Sequence, residues 1–197
     1  MDALEAILTR RSTRKMKPDP LPRDLIERVI EAGRAAPSGG NSQTTRLLVI
    51  ENRAVLDELA DIVEKAFAAM EVTEGMYRSL KGSILASKKG GYVFHYGAPV
   101  LIITANKIGY GNAMADSACV LENMMIAASA LNIGSCWINQ PHWLTDKEAL
   151  RARLEGLGLE KDETITGGLI LGYPDTEDGN PLRVPLPRTG NPVTWIE

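Results

Sequence analysis

Cysteine and histidine are scarce in this chain, and their scarcity excludes several kinds of site. The 197 residues include two cysteines, Cys119 and Cys136, and two histidines, His95 and His142. So few thiols cannot build a disulfide scaffold or a thiolate-rich metal site. Neither an HExxH nor a CxxC spacing occurs. A metal hydrolase or a dithiol redox enzyme therefore has no support, and we expect no bound metal.

Strong charge and long hydrophobic runs are missing as well. The formal net charge is -3, so no basic field would attract nucleic acid or an anionic membrane. The longest apolar runs fall far short of the ~20 residues that a membrane span needs. Residues 1–5 are acidic and amphipathic, unlike a secretory signal. We therefore expect a cytoplasmic protein that binds neither nucleic acid nor membrane.

The composition is that of an ordinary globular protein. Hydrophobic residues make up 44% of the chain and charged residues 24%, which suits one domain with a sizeable core. No repeat or linker divides the sequence, so we predict a single domain over residues 1–197. Residues 173–197 are rich in proline and glycine, and such a segment is predicted to be an extended tail rather than a central strand or long helix.

Hydrophobic periodicity predicts alternating helices and strands. Helical spacing of apolar residues predicts helices around residues 4–8, 25–33, 54–70 and 113–131. Short apolar runs predict strands at 47–50, 99–104, 133–138 and 165–171. Pro22 is expected at the start of the second helix and Gly33 near its end. The fold class is therefore α+β, with helices around a mixed sheet.

Two segments are harder to interpret. Residues 71–95 contain a hint of helix, and Lys88–Gly91 has the composition of a mobile loop. Thr145–Glu148 has the form of a capping box before a short helix that ends near Gly156. The apolar helix 113–131 is predicted to lie in the core or at a subunit interface, because hydrophobic residues surround it on all sides.

The segment Arg10-Arg11-Ser12-Thr13-Arg14 is the first candidate for chemistry. It places three guanidiniums and the Ser12 hydroxyl within five residues, a set of donors suited to a phosphate and a polar ring edge. The alternative is a solvated basic face at the end of a helix, where cations also suit the helix dipole.

Two further segments share this potential. Ala36–Gln43 is a turn-rich loop with amide side chains, although a plain helix-to-strand connection would look similar. Gly134–Ile138 ends an apolar run typical of a buried strand, and Cys136 within it is expected to be a small buried hydrophobe without an activating base. Asp116 and Glu122 lie six residues apart and do not share a helix face, so we reject them as an acid–base pair.

In this order and at this spacing, the three segments resemble the FMN-dependent nitroreductase family. Ala115–Met125 also resembles the central helix of that family, and the similarity covers nearly the whole chain. It is weakest at residues 65–92, where substrate selectivity is usually set. The resemblance implies a mainly antiparallel central sheet surrounded by helices, a long central dimerisation helix and an extended C-terminal tail.

The resemblance also implies a set of FMN contacts. These are Arg10, Arg11, Ser12, Arg14, Pro37, Ser38, Gly39, Asn41, Gln43, Ile138, Asn139, Gln140 and Arg188. The first arginine and Ser12 would lie toward the phosphate and ribityl chain, and Arg14 toward the pyrimidine edge. The backbone of 138–140 would pass flavin N5. Arg188 would contact the phosphate, and Arg183 is a weaker candidate for that role.

Two positions depart from the family pattern. Thr44-Thr45 stands where many relatives have Pro-Trp, and Asn139 stands where many have glycine. The first difference bears on substrate shape and the second on the local geometry beside the flavin.

The implied function is a homodimeric oxidoreductase with an FMN at each of two subunit-interface sites. NADH or NADPH would deliver hydride to flavin N5, and a nitroaromatic or quinone would then be reduced in the same cleft. No catalytic side chain is required, because the flavin carries the chemistry. The alternatives are a specialised member, such as an enone reductase, dehalogenase or flavin-cleaving enzyme, and a flavin-binding sensor or storage protein without turnover.

Overall fold

A four-stranded antiparallel sheet lies at the centre of the computed structural model, which describes residues 1–197. Its strands are β1 (Arg46–Ile50), β2 (Val100–Lys107), β3 (Gly134–Ile138) and β4 (Glu163–Gly172). They are arranged in the order β1-β2-β4-β3, and every neighbouring pair is antiparallel. The α+β class and all the predicted strands are confirmed. β2 reads as a continuous apolar run because it is buried along nearly its whole length.

Helices cover both faces of the sheet. They are α1 (Ala3–Thr9), α2 (Arg23–Arg34), α3 (Arg53–Ala68), α4 (Arg78–Lys89), α5 (Ala113–Ala130), α6 (Gln140–Trp143) and α7 (Glu148–Glu155). Pro22 directly precedes α2 and Gly33 is its penultimate residue, as predicted. The side chain of Asn52 caps α3 by accepting a hydrogen bond from Val55 N at 3.2 Å.

Two local predictions need correction, and one short helix was not predicted. Lys88 and Lys89 are not a loop but the last residues of α4, which ends at Gly90 with φ 85°. Thr145 does not form a capping box: its hydroxyl accepts from Ile165 N at 3.2 Å, and α7 begins without a side-chain cap. The helix α6 was missed, because four residues are too few to show a hydrophobic period.

The core has one cluster on each face of the sheet. Residues such as Leu56 and Phe67 of α3 pack on one face, and Leu121 and Met124 of α5 pack on the other. Gly33 allows α2 to approach α5 closely, because a Cβ at this position would lie 2.7 Å from Met124 Cγ. The two helix layers hold β2 and β4 out of water, which is the main source of favourable free energy in such a fold.

His95 is an unusual member of this interior. It is fully buried, and neither ring nitrogen has a hydrogen-bond partner. Its ring meets the ring of Phe94 edge-on, with centroids 5.3 Å apart. Burial lowers the pKa of His95, and the positive charge of Arg53 acts in the same direction. The imidazole is therefore neutral in the folded protein.

This burial predicts a pH-dependent stability. The unfolded chain takes up a proton near the ordinary histidine pKa of about 6.5, whereas folded His95 resists protonation. The free energy of unfolding should therefore be highest above neutral pH and fall as the pH drops below about 6.5, by at most about 1.4 kcal/mol per pH unit. Urea unfolding between pH 7.5 and 5.5 measures it. His95→Phe should flatten the dependence of the free energy of unfolding on pH, whereas the control His142→Gln should leave that dependence unchanged. An unchanged slope in His95→Phe would contradict the assignment.

Candidate functional site

The arginine segment runs alongside β3. Thr13 N donates a hydrogen bond to Ser135 O at 2.8 Å, and Ser12 forms a parallel bridge with Ser135. Gly134 permits this approach, because a Cβ there would lie 2.9 Å from Thr13 Cγ2. The structure thus brings together two segments that lie more than a hundred residues apart in sequence.

Within this segment, three polar side chains are available to a ligand. Arg10 is half-buried, and its Nε lies 3.4 Å from Glu122 Oε1 but out of line for a hydrogen bond. That buried N–H therefore lacks a hydrogen-bond partner. Ser12 and Arg14 are exposed beside it. Together they present a hydroxyl and two guanidiniums on one side of β3, a donor set suited to an anion.

Cys136 lies behind these side chains and is not activated. Burial raises the pKa of its thiol, and the charges of Arg14 and Arg10 oppose that effect only in part. The other candidate partner, His142, is engaged elsewhere: its Nδ1 donates to Ile165 O at 2.7 Å. The thiol is therefore neutral, and no nucleophile–base pair is formed here.

A cleft of about 280 Å³ opens where β3 ends. It is lined by Arg14, Tyr77, Ser79, Tyr96, Trp137, Ile138, Asn139, Gln140 and Trp143. The rings of Tyr77 and Trp143 meet edge-on with centroids 5.9 Å apart. Tyr96 has φ 54°, a left-handed conformation that is strained for a bulky residue. Such strain is characteristic of functional sites.

Sequence reasoning missed the aromatic residues of this cleft. Tyr77 directly precedes α4 and Trp143 ends α6, so the two come from separate segments. Each alone looks like an ordinary core or surface aromatic. The positive φ of Tyr96 has no sequence signature, since tyrosine does not favour that conformation.

The turn after β3 is held by its own side chains. Gln140 Nε2 donates to Tyr92 Oη at 2.9 Å, Tyr92 Oη lies 2.9 Å from Ser83 Oγ, and Ser83 donates to Ser79 O at 3.2 Å. Burial raises the pKa of Tyr92, so it remains a neutral phenol. This chain of bonds ties the β3 turn to α4 across the cleft.

Asn139 has a different partner in the same turn. Its Oδ1 accepts from Trp137 Nε1 at 2.6 Å. Asn139, at the position where many relatives have glycine, therefore holds the indole ring of Trp137. Asn139 also lines the cleft.

The loop of residues 37–43 lies further along α5. Gly39 N donates to the Asp116 carboxylate at 3.1 and 3.2 Å, whereas Arg10 approaches Glu122 and Met125. With a rise of 1.5 Å per residue, Asp116 lies about 9 Å from Glu122 and about 13 Å from Met125 along the helix. Within one chain, the structure therefore keeps this loop apart from the arginine segment.

The C-terminal tail is hydrogen-bonded to the rest of the chain as far as Val184, and the residues after it are exposed. Arg183 donates to Ser129 O at 2.7 Å and to Asn132 Oδ1 at 2.6 Å, and Arg11 donates to Val184 O at 2.7 Å. Residues 185–197, including Arg188, are exposed. The structure does not bring Arg188 to the other candidates, and it uses Arg11 to hold the tail. The cofactor roles of both residues stay predictions.

No group of three or more histidine, cysteine or acidic side chains is arranged to hold a metal ion. None of the helices combines the length and hydrophobicity that crossing a bilayer would require.

Comparison with known proteins supports one family. Residues 7–173 match the model of the nitroreductase family. A nitroreductase from Bacteroides fragilis, solved with bound FMN, is 32% identical with a TM-score of 0.85, and the alignment covers 100% of both chains. A protein named NADH dehydrogenase from Thermus thermophilus is 30% identical over 99% of this chain and 96% of its own length.

A more distant protein is also similar. A protein from Archaeoglobus fulgidus, named as a putative NADH dehydrogenase or NAD(P)H nitroreductase, is 27% identical over 89% of this chain and 87% of its own length. The family match spans both the arginine segment and the β3 turn, the two segments that the fold brings together. The chain belongs to the nitroreductase family.

Proposed function

We propose that residues 1–197 form one domain that works as an FMN-dependent NAD(P)H oxidoreductase. The observation that carries this proposal is the pairing of the arginine segment with β3, which sets Ser12 beside Ser135 and Arg14 in the lining of an aromatic cleft. The FMN-bound nitroreductase from Bacteroides fragilis, similar over the whole chain, supports the same cofactor.

The residues of the site fit FMN. Arg10 has only long contacts within the chain, from its Nε to Glu122 Oε1 at 3.4 Å and from its Nη1 to Met125 Sδ at 3.9 Å, so its guanidinium retains donor capacity that a phosphate could use. Ser12 and Arg14 add exposed donors for the ribityl chain and the pyrimidine edge. Guanidinium groups suit a phosphate because they form charge-assisted, often bidentate hydrogen bonds.

FMN, when bound, would supply the redox chemistry by accepting a hydride from NADH or NADPH and passing it to an acceptor. The chain would bind and orient the reactants. Backbone N–H groups of 138–140 lie where β3 ends, and the bonds of Gln140 to Tyr92 hold that turn in place. Tyr77 and Trp143 would form the wall of the cleft and keep bulk water from the reacting ring.

We propose electron-poor acceptors such as nitroaromatics and quinones. The aromatic lining of the cleft favours flat rings. Donor and acceptor would both bind against the same flavin ring and would therefore occupy the cleft in turn, which is ping-pong kinetics. Activity assays distinguish two alternatives. One is a specialised reaction, such as enone reduction, dehalogenation or flavin cleavage. The other is a sensor or storage role.

We further propose a homodimer. The exposed apolar side chains Leu4 and Leu8 of α1 are 71% and 70% accessible, and Trp195 and Ile196 of the tail are 84% and 94% accessible. Such concentrated apolar exposure is typical of protein interfaces. The separation of loop 37–43 from the arginine segment along α5 also favours a site completed by a second copy of the chain.

A cytoplasmic location is proposed with this function. Nicotinamide nucleotides serve as electron donors in that compartment, and the two free cysteines are compatible with its reducing conditions.

Arg10→Ala should weaken FMN binding. The loss of a charge-assisted hydrogen bond costs about 1.5–3 kcal/mol, which corresponds to roughly tenfold or more in Kd. Fluorescence titration of the apoprotein with FMN measures the change. Arg28→Ala, which removes an exposed arginine of α2, is the matched control and should bind FMN normally. Equal affinity in the two variants would rule out the phosphate role of Arg10.

The dimer is tested by mass and by substitution. At micromolar concentration, light scattering should give twice the chain mass of 21.4 kDa. Leu8→Glu should shift the protein toward monomer and release FMN, because it places a charge in an apolar interface. Leu85→Glu, at an exposed leucine of α4, should leave the dimer intact. A monomeric wild type with FMN still bound would refute the shared site.

Cys136→Ala should retain most of the reductive rate, because its thiol is buried and neutral. Anaerobic NADH or NADPH should bleach the flavin absorbance of the wild type and the variant alike, and a quinone or nitroaromatic should restore it. Loss of turnover in a variant that keeps its fold and FMN would contradict a mechanism without a catalytic thiol. If neither nicotinamide bleaches the wild type, the sensor or storage hypothesis is the better one.

A further inference from the structure

Asp116 joins three parts of the molecule at the beginning of α5. Its side chain is buried, with 5% of the residue exposed. The carboxylate accepts from Gly39 N at 3.1 and 3.2 Å and from Tyr110 Oη at 2.8 Å. Ser42 Oγ lies 3.4 Å from the same carboxylate and 3.0 Å from Tyr110 Oη. One buried charge thus connects loop 37–43, α5 and the segment between β2 and α5.

The loop needs such external support because its backbone is strained. Gly40, Asn41 and Gln43 have φ of 59°, 56° and 51°, and Gln43 is the one of them that the left-handed region disfavours, since glycine and asparagine adopt it more readily. Within the loop, Gln43 N donates to Ser38 Oγ at 3.0 Å. The ties that leave the loop go to Asp116 and Tyr110, so these two residues decide whether this backbone conformation persists.

Close packing gives the loop a single position against α5. A Cβ on Gly39 would lie 2.1 Å from Asn112 Nδ2 and 2.7 Å from Tyr110 Oη, so a larger residue would displace these side chains. Asn41 and Gln43, in contrast, are exposed, and their side-chain amides form no hydrogen bond within the chain. The backbone is held while the two amides remain available to a ligand.

We infer that Asp116, with Tyr110, is a positioning residue that holds loop 37–43 so that the amides of Asn41 and Gln43 meet FMN across the subunit interface. This inference rests on the proposed function. Fixing the loop before binding removes the entropy cost of ordering it around the cofactor. Asp116 acts through the loop and does not itself contact the cofactor.

Asp116→Asn in the dimeric holoprotein tests this role. The amide keeps the size of the side chain but removes its charge and leaves a single acceptor oxygen for the Gly39, Ser42 and Tyr110 donors, which weakens these hydrogen bonds. FMN affinity, measured by fluorescence titration of the apoprotein, should fall about tenfold while the mass remains that of a dimer. Tyr110→Phe should cause a smaller loss. The matched control is Glu163→Gln, which changes a buried carboxylate that pairs with Arg46 and should leave FMN affinity unchanged.

A mutant cycle separates positioning from general stabilisation. When Asn41→Ala and Gln43→Ala are already present, adding Asp116→Asn should cause no further loss of FMN affinity, because the groups that Asp116 positions are gone. Additive losses would assign Asp116 a purely structural role and overturn the inference. A wild type that binds FMN as a dimer, with affinity unaffected by Asp116→Asn, would overturn it too and leave the proposed function standing. A wild type that binds no FMN would refute both.

Discussion

The hydrogen bond from Thr13 N to Ser135 O is the interaction on which the candidate site depends. β3 stands at one end of the sheet order, and the arginine segment covers its outer edge. An uncovered edge strand exposes unpaired backbone groups, so this pairing covers the edge of β3, sets Ser12 beside Ser135 and places Arg14 in the lining of the cleft. A shift of one residue in this pairing would turn the donors to the other face, because side chains alternate along an extended segment.

α5 is the second constraint, because it sets the distance between the two polar segments. Arg10 approaches one part of this helix and loop 37–43 is bound to another through Asp116. A rigid helix does not bring its two ends together. The segments that resemble one cofactor site in sequence therefore occupy two places along α5, and the proposed homodimer would bring the loop of one chain to the arginine segment of the other.

The β3 turn is coupled to α4 through buried polar groups. Gln140, Tyr92 and Ser83 form a continuous set of hydrogen bonds between the cleft floor and the helix that borders it. The network is not complete, because the buried Oε1 of Gln140 has no hydrogen-bond partner. Substrate selectivity would then depend on α4 not only through Tyr77 at its start, but also through the fixed position of the turn.

The sequence by itself determined the element types, the strands and the family, because hydrophobic periodicity and short motifs are local and survive without coordinates. Long helices such as α3 and α5 were located to within about two residues. A local signal failed where a tertiary contact competed with it: Thr145 has the sequence of a helix cap but its hydroxyl accepts a hydrogen bond from Ile165 of β4. The helix α6 gave no signal, because it is too short to show a hydrophobic period. Only the tertiary structure decided that Arg11 holds the tail, that Tyr96 is strained beside the cleft and that Asp116 holds the loop. Each of these depends on residues that are distant in the chain, and the spacing of residues in a sequence does not specify which distant groups meet.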